Sequence, residues 1–245
     1  MSHPGARRDT TTGRLIERYN TLTRRPTAHD ARYRDVMFAS FERVYARFLP
    51  ADPGAAVLDA GCGEGSLLGY LRERGHRNLA GFDLSEENVA ICNREGLDFV
   101  HRFDALEMDR LPGDPRYDRI FALDLLEHIP KEKASTFLEL ARGRLAPGGL
   151  LLVQTPNMGC VYAQYHRYND LSHEFGLTEK TARDLFMTAG FADDEVEVLP
   201  VWNATTPLGY AREVYARLVH HAVFLADDSS RPRIPTKNLL ILARR

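Results

Sequence analysis

At 245 residues the chain is long enough to bury a hydrophobic core without disulfide or metal staples, and 44% hydrophobic with 27% charged residues describes a soluble globular protein. A formal net charge of -2, from 32 basic and 34 acidic residues, supplies no global field for drawing in a polyanion, which argues against nucleic acid as an obligatory partner. The three cysteines, Cys62, Cys92 and Cys160, are odd in number, far apart and without a Cys-x-x-Cys pair, so neither a disulfide framework nor a thiolate zinc site is suggested.

Residues 1–14 are polar and basic, without the apolar stretch of a secretory signal, and no later run approaches the ~20 apolar residues that span a bilayer. The expected location is cytoplasmic, with no membrane partner and a monomer or homodimer as the assembly. Residues 14–49 then place Val36, Phe38, Phe41, Val44, Tyr45 and Phe48 at helical intervals and end before Pro50 and the turn Asp52-Pro53-Gly54. This predicts one or two helices ahead of a sheet. From there, short apolar runs at 56–58, 79–82, 98–100, 120–123 and 150–153 alternate with amphipathic segments about a dozen residues long. Strands apolar on both faces and separated by helices make a parallel sheet covered on each side. A helix over 178–189 capped by Thr178, a strand near 196–199, an insertion around 205–225 and a last strand at 238–243 complete the chain. No internal repeat or linker is visible. The expected class is α/β, a doubly wound, seven-stranded, mostly parallel sheet with an antiparallel edge. Residues 1–50 form a helical cap, and residues 51–245 form the main domain with an insertion at about 202–230.

The first strand runs into Asp59-Ala60-Gly61-Cys62-Gly63-Glu64-Gly65 and then a helix opening at Ser66. A reversal this short uses glycine's freedom at positive φ, and missing side chains let a ligand lie against the backbone. Asp83, a little over twenty residues beyond Gly61, ends the second strand, where a carboxylate can accept from both ribose hydroxyls. Asp104 follows the third strand and is placed to accept from an adenine amine. A nicotinamide-dependent dehydrogenase uses the same strand, loop and acid, but it wants a third glycine where Ser66 stands. Glu64 would also repel a pyrophosphate, whereas a cofactor bearing a sulfonium and an ammonium tolerates it.

The stretch 57–67, with Asp83, Asp104, residues 117–130 and Leu145-Ala146-Pro147-Gly148-Gly149, resembles the class I S-adenosylmethionine-dependent methyltransferases, which have a Rossmann-like sheet. The resemblance implies that Asp59, Gly61, Cys62, Gly63 and Gly65 line the amino-acid part of the cofactor. By the same token Asp83 and Leu84 hold its ribose, Asp104 and Ala105 its adenine, and Leu123 and Asp124 border the sulfonium. The N-terminal helices, with Tyr33, Arg34 and Phe38, would close over the cofactor, an arginine meeting its carboxylate.

Methyl transfer to a hydroxyl needs alignment and a base. In Leu123-Asp124-Leu125-Leu126-Glu127-His128, a helix would put Asp124, Glu127 and His128 on one face. The polar loop at 165–178 contributes His173 and Glu174, and an imidazole there has the right range for a general base. His173 is the expected base, with Glu174 and His128 beside it. Both segments together also resemble small-RNA 2′-O-methyltransferases that hold a divalent metal, which would make Asp124, Glu127, His128 and His173 candidate metal ligands. Asp in the first position shortens the reach, so metal is not expected. Tyr162, Tyr165, Tyr168 and Trp202 are candidates for an aromatic wall against a substrate ring. The loop and the segment 235–239 are similar to bacterial methyltransferases of polysaccharide and natural-product pathways. That similarity implies O-methylation of a small-molecule hydroxyl such as a sugar's. N-methylation of an amino sugar or small molecule, and metal-assisted RNA 2′-O-methylation, stay open as alternatives, as does a non-catalytic cofactor-binding partner.

Overall fold

The computed structural model describes residues 10–23, 31–225 and 231–245. Parts of the expected cap (1–9 and 24–30) and of the expected insertion (226–230) lie outside the described residues. Helices α1 (Thr11–Glu17), α2 (Tyr19–Thr23) and α3 (Ala31–Tyr45) precede the sheet. The strands are β1 (Val57–Ala60), β2 (Leu79–Asp83), β3 (Val100–Arg102), β4 (Tyr117–Leu123), β5 (Leu145–Pro156), β6 (Val196–Pro200) and β7 (Asn238–Arg244). Between them run α4 (Ser66–Glu73), α5 (Glu86–Arg94), α6 (Ala134–Arg144), α7 (Ala163–Tyr168), α8 (Glu179–Thr188) and α9 (Pro207–Phe224). The sheet order is β3-β2-β1-β4-β5-β7-β6, parallel through β5, with β7 antiparallel to both β5 and β6. The expected seven-stranded α/β fold is therefore the observed one. None of the described helices is long and apolar enough to cross a membrane.

Each face of the sheet buries its own cluster, as a sheet apolar on both sides must. On one face Leu58, Ile120, Leu151 and Ile241 meet Phe137 and Leu138 of α6 and Phe186 of α8. On the other, Val57, Phe121, Leu152 and Leu240 meet Leu67, Tyr70 and Leu71 of α4 together with Phe41, Val44 and Tyr45 of α3. Thus α3, read in the sequence as a cap, shares a core with the strands.

Two topological facts place the site. Chain order departs in opposite directions from β1, toward β2 and toward β4, which opens a crevice at the carboxyl ends of these strands. Because β7 is antiparallel, with Asn238 opposite Pro156 at the end of β5, its beginning also reaches that edge.

Candidate functional site

The crevice is a cavity of about 410 Å³, floored by the carboxyl ends of β1, β2 and β4 and roofed by the N-terminal helices. Of the residues expected to bind cofactor, Asp59, Gly61, Cys62, Gly63, Asp83, Leu84, Ala105, Leu123 and Asp124 line it. Two do not. Gly65, at φ +77°, is the N-cap of α4, and a Cβ there would lie 2.5 Å from Leu97 Cδ1. Asp104 caps the turn that follows β3, accepting from the Leu106 N–H at 3.0 Å, and the neighbours Phe103 and Ala105 face the cavity in its place.

Gly65 is required by two independent constraints, left-handed backbone and contact with Leu97 and Cys92. Gly65→Ala is expected to cost about 1–3 kcal/mol from strain and overpacking, lowering the melting temperature by roughly 2–10 °C, as read by calorimetry.

Asp83 does more than its sequence position suggested. Its Oδ2 accepts from the Gly63 N–H at 2.9 Å, and its Oδ1 accepts from the Ser85 N–H at 2.8 Å and from Asn88 Nδ2 at 3.1 Å. A carboxylate has about four acceptor sites, so the three bonds that pin the glycine loop to α5 leave roughly one for a ligand. Burial raises its pKa above the ordinary carboxylate value, and those three bonds oppose the rise. Asp59 has less help: buried, with the Asp83 carboxylate nearby, its carboxyl is pushed up to about 8. Among the described residues the lining also carries Glu64 and Asp124 but only one lysine, Lys237. A sulfonium and ammonium cofactor fits such a lining, since a cation would return to Asp59 the charge that burial withholds.

The second cluster differs from its expected form. Asp124 sits at φ +52°, outside any helix, and the following turn Leu126–His128 is 3-10. The shared helical face of Asp124, Glu127 and His128 therefore does not form. Instead Asp124 Oδ1 accepts from Gln154 Nε2 at 3.0 Å, and Gln154 Oε1 accepts from the Tyr45 hydroxyl at 2.7 Å. Glu127, His128 and His173 do converge, their ligand atoms lying within 4.8 Å of one another. Glu127 is buried, its carboxyl raised by desolvation and by Asp124, and it accepts from the Thr155 hydroxyl at 3.0 Å.

Among these residues His128 lines the cavity and His173 does not. The two rings meet edge to face, 4.9 Å between centroids. His173 Nδ1 lies 3.1 Å from the His166 carbonyl, which only accepts, so Nδ1 carries the proton. Burial lowers the affinity of His173 for a second proton, against the pull of Asp170. For His128, Nδ1 lies 3.0 Å from Ser172 Oγ, and that hydroxyl donates its single proton to Asp170 Oδ1. Ser172 must therefore accept from His128 Nδ1–H, which leaves the ring's lone pair on Nε2. Asp170 also accepts from the Tyr19 hydroxyl at 2.9 Å. Desolvation would raise the Asp170 carboxyl, but bonds from Ser172 and Tyr19 and the nearby His128 hold it below the ordinary value.

Several expectations are corrected by these contacts. Glu174 is outside the lining, its Oε1 accepting from Thr12 at 2.6 Å. Tyr162, Tyr165 and Tyr168 are exposed, and Trp202 is covered by Arg217 at 4.0 Å, so the expected aromatic wall does not face the cavity. Tyr19, Tyr33, Phe41, Tyr45, Phe82 and Phe103 supply the aromatic lining instead. Arg34 pairs with Glu73 at 3.9 Å on the surface and does not reach the site. Lys237, Asn238 and Asn203, which the sequence reading did not select, line the cavity.

Residues 31–206 match the family described as a methyltransferase domain. Over 110 residues the chain is 33% identical to the ubiquinone biosynthesis O-methyltransferase of Idiomarina loihiensis, covering 42% of this chain and 43% of that protein. It is 32% identical over 117 residues to methyltransferase GfsG of Streptomyces halstedii, covering 46% of this chain and 41% of that one. The chain thus spans less than half the length of these curated relatives. In fold it is similar to a SAM-dependent methyltransferase from Archaeoglobus fulgidus, with a TM-score of 0.66, 21% identity and coverage of 93% and 98% of the two chains. The family match extends over most of the chain and ends the choice left open by its glycine loop: the chain belongs to the class I S-adenosylmethionine-dependent methyltransferases.

Proposed function

We propose that the protein methylates a hydroxyl of a small molecule, with His128 as the general base. The observation that carries this reading is the proton arrangement His128–Ser172–Asp170, which leaves a basic nitrogen on a ring that lines the cavity. S-adenosylmethionine, when bound, supplies a methyl group on a sulfonium as the electrophile. His128 Nε2 takes the acceptor's hydroxyl proton, and the ionised Asp170, acting through Ser172, stabilises the imidazolium that forms. Ser172 and Asp170 are positioning residues in this scheme. Asp59, Gly61, Gly63 and Asp83 hold the cofactor, and Tyr19, Asn203, Lys237 and Asn238 offer hydrogen bonds to a polyhydroxylated acceptor such as a sugar. Of the two relatives, the one from Idiomarina loihiensis is named an O-methyltransferase, which supports oxygen as the acceptor, and the name of the other specifies no acceptor.

S-adenosylmethionine at about 100 times its Kd is expected to stabilise the protein by ~2.7 kcal/mol and raise its melting temperature by roughly 5–10 °C. Asp83→Ala, which also frees the glycine loop, is expected to remove most of that rise in the same thermal scan. No rise with the native chain at millimolar cofactor would overturn the cofactor assignment. The acceptor is tested by methyl transfer to sugar nucleotides, glycosides and phenols, and transfer only to amines would overturn the O-methylation reading.

The convergence of Glu127, His128 and His173 favours a second reading, in which the three hold a divalent metal that orients the acceptor. Activity lost to a chelator and restored by added metal would select it over the general-base reading. The cytoplasm is the location we propose, with residues 1–50 acting as the cap over the site.

A further inference from the structure

Helix α9 is held to its own domain along a single line. Among the described residues of the helix only His220 is buried; its Nε2 lies 2.8 Å from the Pro232 carbonyl, and Glu213 pairs with Arg43 at 2.8 Å. An 18-residue helix about 27 Å long with so little of itself covered draws little stability from tertiary packing. On the opposite side, Leu208, Ala211, Tyr215, Leu218, Ala222 and Leu225 are all exposed. Leu208, Tyr215, Leu218 and Leu225 stand at 62, 64, 65 and 58% exposure.

Their spacing is three, four, three, four and three residues, the a/d repeat of a helix that pairs with another helix. At 100° per residue this stripe lies diametrically across from Glu213 and His220. No charge interrupts it; Arg212 and Arg217 fall to its sides. The order of sizes is also a palindrome: large, small, large, large, small, large. An isologous two-fold contact requires that symmetry, because each residue that meets another must be met by it in turn.

We propose that α9 pairs antiparallel with α9 of a second copy of this chain. The axis passes between Tyr215 and Leu218. Leu208 then faces Leu225 of the second copy, Ala211 faces Ala222, and Tyr215 faces Leu218. The two alanine layers let the helices approach closely, and the bulky layers fill the centre and both ends. A membrane surface fits the stripe less well. Helices that lie on lipid set their apolar face against a polar face rich in lysine and arginine, whereas the far side of α9 is engaged by Arg43 and Pro232 of its own chain.

Sedimentation equilibrium of the full chain is expected to give a mass twice that of one chain. Leu218→Glu places two charges at the centre of the seam and is expected to raise the dimer Kd at least ~30-fold while leaving the S-adenosylmethionine-induced thermal shift intact, which shows that the variant is folded. Register is read by mixing Ala211→Cys with Ala222→Cys chains under a mild oxidant. The mixture should cross-link and neither variant alone should, since the native cysteines are all buried. A monomer at 100 µM, a dimer indifferent to Leu218→Glu, equal cross-linking of each variant by itself, or a monomer that pellets with anionic phospholipid vesicles through Leu218 would each overturn the proposal.

Discussion

Replacing His128 by Gln is expected to lower kcat by about 10²- to 10⁴-fold, the range general-base catalysis supplies, while the thermal shift produced by S-adenosylmethionine is kept. Gln retains a donor toward Ser172 and a comparable reach, so the loss isolates the basic nitrogen and spares the cavity wall. Ser172→Ala tests how the ring is held. It removes the acceptor for His128 Nδ1–H and cuts the imidazole off from Asp170. The expected result is a smaller fall, about tenfold, with the acidic limb of the kcat–pH profile moved to lower pH, because an imidazolium without its carboxylate gives up its proton more readily. A purely structural Ser172 would alter kcat without moving that limb. If instead His173→Gln caused the large loss and His128→Gln a small one, the base would be His173.

The proposal of His128 as base, where the sequence points to His173, rests on contacts that the sequence does not report. The strand positions, the glycine loop and the acids at the ends of β1 and β2 follow from local patterns, because apolar runs and glycine at positive φ act within a few residues of themselves. The orientation of His128 depends on Ser172 and Asp170, which lie more than forty residues away, and no periodicity reports which ring nitrogen a distant hydroxyl will meet. Asp124 departs from the helical expectation for a local reason: the chain makes a left-handed residue there and then a 3-10 turn. Tyr162, Tyr165 and Tyr168 suggest a wall by ring content alone, and composition does not report their exposure. Lys237 and Asn238 had a usable signal. An antiparallel last strand begins at the edge where parallel strands end, so the residues opening 238–243 belong beside the site by topology alone.

The affinity for S-adenosylmethionine is expected to climb with pH by up to ~50-fold between pH 6 and 8, and the climb is expected to vanish in Asp59→Asn. The sign follows from where the proton sits. In the ligand-free protein the Asp59 carboxyl, raised to about 8 by burial and by Asp83, holds its proton at neutral pH. A cationic ligand favours the ionised form, so binding below pH 8 releases a proton, and log K rises by about one for each pH unit. Above pH 8 the gain ends, and affinity declines as the ligand's own α-amino group, ordinarily near ~8, becomes neutral. Calorimetric titration in two buffers of different ionisation enthalpy should show close to one proton released at pH 7 with the native chain and none with Asp59→Asn. The same linkage acts on folding. A carboxyl raised in the folded state contributes stability that is fully present below its unfolded value of about 4 and is lost as pH rises toward 8. Asp59→Asn should therefore raise the melting temperature of the ligand-free protein at pH 8 while weakening its response to cofactor. Equal proton release by both proteins would assign the titration to another acid of the cavity and leave Asp59 a structural residue.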